Sequence, residues 1–151
     1  MMNRTSLCIS ALSVAVVCSI GGGCGSSSFV RQPAGWKSIE LREGLQGNYN
    51  DAWQTAVDTV ARSYDIEVME KDSGYIRTSW KYGILGKPTS VLAGRLVVKF
   101  PSTQSPTKVD VKTDAQQFNA WTNLWEEGFD SRFERDVMGE LSGRLGRTTQ
   151  E

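Results

Sequence analysis

Cys24 is the side chain best placed for covalent chemistry. It follows Gly21-Gly22-Gly23 and an uncharged, mostly apolar run from Leu7 to Ile20, and Arg4 is the only charge before Arg31. A basic start, a short apolar core and a small-residue zone make a secretory signal. The apolar run is shorter than the roughly 20 residues a spanning helix needs, and three glycines in a row oppose helix continuation. Cleavage before Cys24 removes Cys8 and Cys18. The mature chain then has no second thiol for a disulfide and no thiolate pair for a metal. Histidine is absent, which excludes Ser-His-Asp and Cys-His catalysis and His-based zinc sites in their usual forms. The 17 acidic residues carry no recognisable catalytic motif. The expectation is a protein that is not an enzyme and needs no metal or cofactor.

The segment around Cys24 resembles a bacterial lipobox, in which a small residue precedes the cysteine that receives lipid and becomes the new N-terminus. Gly23-Cys24 fits, whereas Val17-Cys18 places too large a residue before the cut. Gly21 departs from the leucine usual there, and the alternative is an ordinary signal peptide with a cysteine nearby. The resemblance implies lipid attachment at Cys24. Ser26, rather than aspartate, two places on implies the outer membrane, with the protein facing the periplasm. The membrane is then a partner through the N-terminal lipid.

After removal of residues 1–23, which carry one charge (Arg4), the remaining 128 residues have a net charge of −1. That length suits one domain, and the charge gives no global attraction to nucleic acid. The expected organisation is a signal peptide over 1–23, a lipidated N-terminus and flexible tether over 24–35, a single α+β domain over 36–147 and a tail over 148–151. A flexible 11-residue tether would hold the domain within about 20 Å of the bilayer.

Within the domain, Trp36–Arg42 alternates as a strand, with Trp36, Ile39 and Leu41 its apolar positions. Asn50-Asp51 opens a helix whose apolar positions Trp53, Ala56, Val57, Val60, Ala61 and Tyr64 fall on one face. Asp65–Glu70 and Tyr75–Lys81 read as a strand pair around Lys71–Gly74. Tyr82–Pro88 reads as a loop, and Ser90–Phe100 and Thr107–Asp114 as further strands. Phe118, Trp121, Leu124 and Trp125 read as a loop or short helix. Phe129–Leu145 reads as a second long helix closed by Gly146 in the C′ position. The order β-α-β-β-β-β-α predicts an antiparallel four- to five-stranded sheet with two amphipathic helices on one face.

Asp51-Ala52-Trp53, then Ile66-Glu67-Val68, then Asp72-Ser73-Gly74-Tyr75-Ile76 resemble the helix-grip domains of BamC/NlpB-type lipoproteins over about residues 50–114. Those lipoproteins have two such domains and a long N-terminal segment, whereas this chain has room for one domain. The resemblance implies a non-catalytic accessory or scaffold of outer-membrane protein assembly, with an envelope protein as partner. Strand parity adds a second reading. It puts Arg77, Lys81, Arg95, Lys99, Lys108 and Lys112 on one outward face, a candidate surface for an anionic envelope ligand or cell-wall polymer. The alternative is a solvated sheet face, where such charges discourage edge pairing. A wall-binding module would use a site near Tyr82–Pro88 or near Phe118–Trp125.

Overall fold

A computed structural model describes residues 27–149. Cys24, the signal segment and the start of the tether lie outside the described residues. The chain forms β1 (Phe29–Val30), β2 (Lys37–Leu41), α1 (Tyr49–Ser63), β3 (Ile66–Glu70), β4 (Tyr75–Thr78), β5 (Lys81–Tyr82), β6 (Leu92–Lys99), β7 (Lys108–Asn119), β8 (Leu124–Asp130), α2 (Ser131–Leu145) and β9 (Gly146–Thr148). The fold is α+β, an antiparallel sheet with two helices. It has nine strands among the described residues, more than the four or five expected.

The sheet is built around the β6–β7 hairpin. Along the outer side of β6, β4 and β5 lie end to end, and β3 pairs with β4. Along the outer side of β7, β2 and β8 lie end to end, with β9 added to β2 and β1 added to β8. Short strands laid end to end explain the strand count. Tyr75–Lys81 was expected as one strand and is two: it breaks at Ser79-Trp80, where Ser79 N–H donates to the carbonyl of Asp65.

One face of the sheet carries Ile39, Leu41, Ile76, Leu96, Val98, Phe100, Val109 and Val111, all essentially fully buried. Against them pack Trp53, Ala56 and Val60 of α1 and Phe133, Val137, Leu141 and Leu145 of α2. This is the expected single core under two helices. The details of α1 differ. Asn48, not Asn50, is the N-cap, its side chain accepting from Asp51 N–H, and Asp51 occupies the first turn as its charge favours. Ala52 and Thr59 are buried while Ala61 is exposed, so the buried stripe is rotated from the expected one. Thr59 tolerates burial because its hydroxyl donates to the carbonyl of Thr55 at 2.6 Å. Trp36 precedes β2 and is 50% exposed rather than inside.

Both ends of the described segment are drawn into the sheet. Residues 28–34, expected in the flexible tether, are held to the domain. Phe29 and Val30 pair with Asp130 and Phe129, Ser28 Oγ donates to Asp130 Oδ2 at 2.7 Å, and Ala34 is buried. Asp130 also caps α2, accepting from the N–H groups of Arg132 and Phe133, so α2 begins at Ser131 and not at Phe129. Gly146 is extended rather than a left-handed C′ residue, and the chain passes from α2 directly into β9. A Cβ at Gly146 would lie 1.8 Å from the carbonyl oxygen of Glu40, so β9 can approach β2 only with glycine there. Thr148 and Thr149, expected in the tail, pair with Ile39 and Ser38.

Gly94, inward on β6, sets the distance between sheet and α2. A Cβ there would come within 2.6 Å of the Phe133 ring and 2.7 Å of Ile84. Gly94→Ala is expected to destabilise the domain by about 1–3 kcal/mol through overpacking. Gly139→Ala, at an exposed α2 position with open space around it, is expected to stabilise it by about 0.5–1 kcal/mol. Urea unfolding midpoints of the two variants check both signs.

Candidate functional site

The structure separates the six basic residues expected on one face. Lys81 pairs with Gly94 in register and so points to the helix side. Its ammonium donates to the carbonyl of Ser63 at 2.8 Å, at the end of α1, and lies 5.0 Å from the Tyr64 ring centroid. Sequence parity failed for Lys81 because the break at Ser79-Trp80 reverses the alternation established in β4. Lys81 is thus a cation at a helix C-terminus, where the dipole favours it.

The other five share the outward face, but acidic neighbours answer four of them. Arg95 Nε and Lys112 Nζ each lie 3.1 Å from Asp114, Lys108 Nζ lies 3.6 Å from Asp110, and Arg77 Nε lies 3.3 Å from Glu67. The Arg77 contact is an ion pair without hydrogen-bond alignment, since its buried Nε has no hydrogen-bond partner. Lys99 has no ion pair among the described residues. Asp110 and Asp114 stand directly across from Lys99 and Arg95 in the β6–β7 register. The face is therefore a lattice of alternating charge, and the excess positive field that would draw an anionic polymer is largely cancelled.

The expected loop or short helix at Phe118–Trp125 is instead the far end of the β7–β8 hairpin. Asn119 makes the turn: its Oδ1 accepts from the N–H groups of Trp121 and Thr122, and its Nδ2 donates to Glu126 Oε1 at 2.7 Å. Asn123 supplies the left-handed residue, with φ +57°. The hairpin was hidden from periodicity because both its faces are partly exposed at this end, so apolar and polar residues do not alternate. The Asn-x-x-x-Asn spacing was the available signal.

This end carries most of the exposed large apolar side chains among the described residues, Trp36 and Met69 lying elsewhere. Trp121 at the tip is 98% exposed and Leu124 is 64% exposed. Trp125 sits edge-on between Phe118 and Tyr82, with ring centroids 5.6 and 5.7 Å apart. Tyr82 is there because β5 places it opposite Ala93 of β6. The Tyr82 segment and the Phe118–Trp125 segment, noted separately in the sequence, thus meet in one patch. Isolated exposed apolar residues such as Trp121 and Leu124 are ordinary, Leu124 lying on the opposite strand face from Trp125, but the contacting group Tyr82–Trp125–Phe118 is a candidate interaction surface, and Trp and Tyr are the residues that most often anchor one.

Among the described residues, no group of three or more His, Cys, Asp or Glu side chains could hold a metal, and no helix is long and apolar enough to cross a membrane. No family model matches the sequence, and no curated protein is significantly similar to it.

Titration is perturbed beside α1, away from the aromatic end. Burial, reinforced by the charges of Glu140 and Asp136, pushes the Tyr64 phenol up to about 12. Burial, reinforced by Asp72, also raises Tyr49, whose hydroxyl donates to the carbonyl of Lys71. A phenol whose folded pKa lies above its unfolded value favours folding below pH 10, and that contribution is lost as pH rises toward 12. Tyr64→Phe is expected to flatten the fall of Tm between pH 10 and 12, which a thermal unfolding series across that range checks.

Proposed function

We propose that the protein is a lipid-anchored, non-catalytic accessory of the cell envelope that docks onto an envelope protein through the aromatic end of the β7–β8 hairpin. The observation that carries this reading is the contacting group of Tyr82, Trp125 and Phe118, with the exposed Trp121 at the tip of the same hairpin. Such a patch offers large apolar area at low entropic cost and requires no net charge.

Geometry relates that patch to Cys24. Ser28 sits beside Asp130 at one end of β8, and the hairpin tip lies at the other, about 20 Å away for a seven-residue strand. β1 runs antiparallel to β8, so the chain upstream of Ser28 departs from the end opposite the tip. Residues 24–27 reach at most about 14 Å when extended. A lipid on Cys24 would thus hold the Asp130 end close to a bilayer and leave the aromatic end directed toward a partner. The lipobox-like Gly23-Cys24, with Ser26 after it, supports attachment to the outer membrane on its periplasmic side. The resemblance of residues 50–114 to BamC/NlpB-type domains makes outer-membrane protein assembly the first process in which to seek the partner. The absence of histidine, and of cysteine beyond Cys24, supports a role without catalysis. The alternative of binding an anionic envelope polymer loses support from the ion pairs on the sheet face.

Two measurements test this. Cys24→Ser is expected to move the protein from the membrane fraction to the soluble fraction. A photo-crosslinking residue at Trp121 of the anchored chain should yield a discrete protein adduct. The same probe at Thr55 on α1 should not, and Leu124→Ser with Trp125→Ser should abolish the adduct. Adducts to lipid alone, or equal protein adducts from Thr55, would overturn docking through the hairpin.

A further inference from the structure

A second site lies on the outward face, where β2 and β8 meet along β7. Lys37 pairs with Val111 and Gly128 with Ala115, so residues 112–114 lie between the two strand ends. The segment between β1 and β2 borders this gap, and with the sheet it forms an open cleft of about 370 Å³. That volume equals roughly a dozen waters at about 30 Å³ each, the size of a small dipeptide. It falls at the lower end of the range of small-molecule sites.

The cavity wall divides by charge. On one side stand Arg95 and Lys112, both bound to Asp114, so two cations share one carboxylate and a positive surplus remains. Arg95 is fixed twice. Its Nε donates to Asp114 at 3.1 Å, and its guanidinium carbon lies 4.6 Å over the Trp80 ring. This leaves the two terminal amino groups of the fork outside the Asp114 contact, on a side chain already held in place. Glu127, from β8, also lines the cavity, and its side-chain hydrogen bond among the described residues is a long one of 3.4 Å from Gln116. Trp80 and Pro33 supply apolar wall between the charges, and Arg31 stands at the border, paired with Glu126 at 2.6 Å.

We propose that this cavity binds a small zwitterion of amino-acid or dipeptide size, with its carboxylate on Arg95 and Lys112, its ammonium on Glu127 and its body against Trp80. A simple anion would meet Glu127 and Asp114, and a simple cation would meet Arg95 and Lys112. A ligand with both charges a few ångströms apart satisfies both walls. The site is separate from the aromatic hairpin end and stands whether or not that end docks a partner.

The test is a titration of the full-length chain in detergent micelles, read by the Trp80 indole N–H resonance and assigned with Trp80→Phe. The probes are alanylalanine, its C-terminal amide and its N-acetyl derivative. Alanylalanine is expected to shift the resonance saturably. Each blocked derivative should bind about tenfold more weakly or worse, since each loses one charge-assisted hydrogen-bond set. Arg95→Gln should weaken alanylalanine to the level of its amide. Glu127→Gln, away from the Arg95–Asp114 contact, should erase the preference over the N-acetyl derivative while leaving Tm unchanged. No saturable shift at tens of millimolar, or equal affinity for all three probes, would overturn the assignment.

Discussion

Eight consecutive pairs, from Leu92 opposite Gln117 to Lys99 opposite Asp110, join β6 to β7. Every other strand takes its position from this ladder. β6 offers one edge to β4 and β5, β7 offers the other to β2 and β8, and each edge is filled by two short strands. The register also decides which charges meet. A shift of β7 by one residue against β6 would turn Val109 and Val111 to water and bring Lys112 and Asp114 under the helices. The Arg95–Asp114–Lys112 chain therefore depends on the same pairing that buries the core.

The parts of this fold legible in the sequence are those where one face is dry and the other wet. Val109 and Val111 alternate with Lys108, Asp110 and Lys112, and both strand and orientation follow. Trp53, Ala56 and Val60 mark α1 by their spacing. What could not be read has local causes. β1 is two residues long and carries no periodicity; it exists because Ser28 and Asp130 bond across 102 positions of sequence. The hairpin end at Phe118–Trp125 is partly exposed on both faces, so its apolar and polar residues do not alternate and its strands resemble an irregular segment. The reversal at Ser79-Trp80 inverted the parity of Lys81 alone. The other five basic positions were placed correctly by alternation, yet their ion pairs were not foreseen. Glu67 reaches Arg77 from a register shift in β3, and Asp114 serves two cations at once.

Charge and apolar surface are therefore distributed in opposite ways across the domain. The charged face is partly neutralised by its own carboxylates, with partly exposed pairs each worth little in stability, about 0–1 kcal/mol. Their larger effect is to leave that face without a long-range field. Contacting exposed aromatic rings, by contrast, occur where Tyr82 of β5 meets Trp125 and Phe118 at the end of the β7–β8 hairpin. Recognition at that end would rest on shape and apolar contact, and would change little with salt.

Asp130 has a consequence for the order in which the molecule assembles. It is the residue on which β1, the start of α2 and the end of β8 converge, and its first-strand partners precede it by about a hundred residues. Closing so long a loop is entropically costly, as it is for β9, which pairs with β2 across a still longer separation, and non-local strands pair late. β1 pairs with β8, and β8 pairs with β7 through a local hairpin, so this edge of the sheet is completed by a strand from the start of the domain once the hairpin beside it has formed.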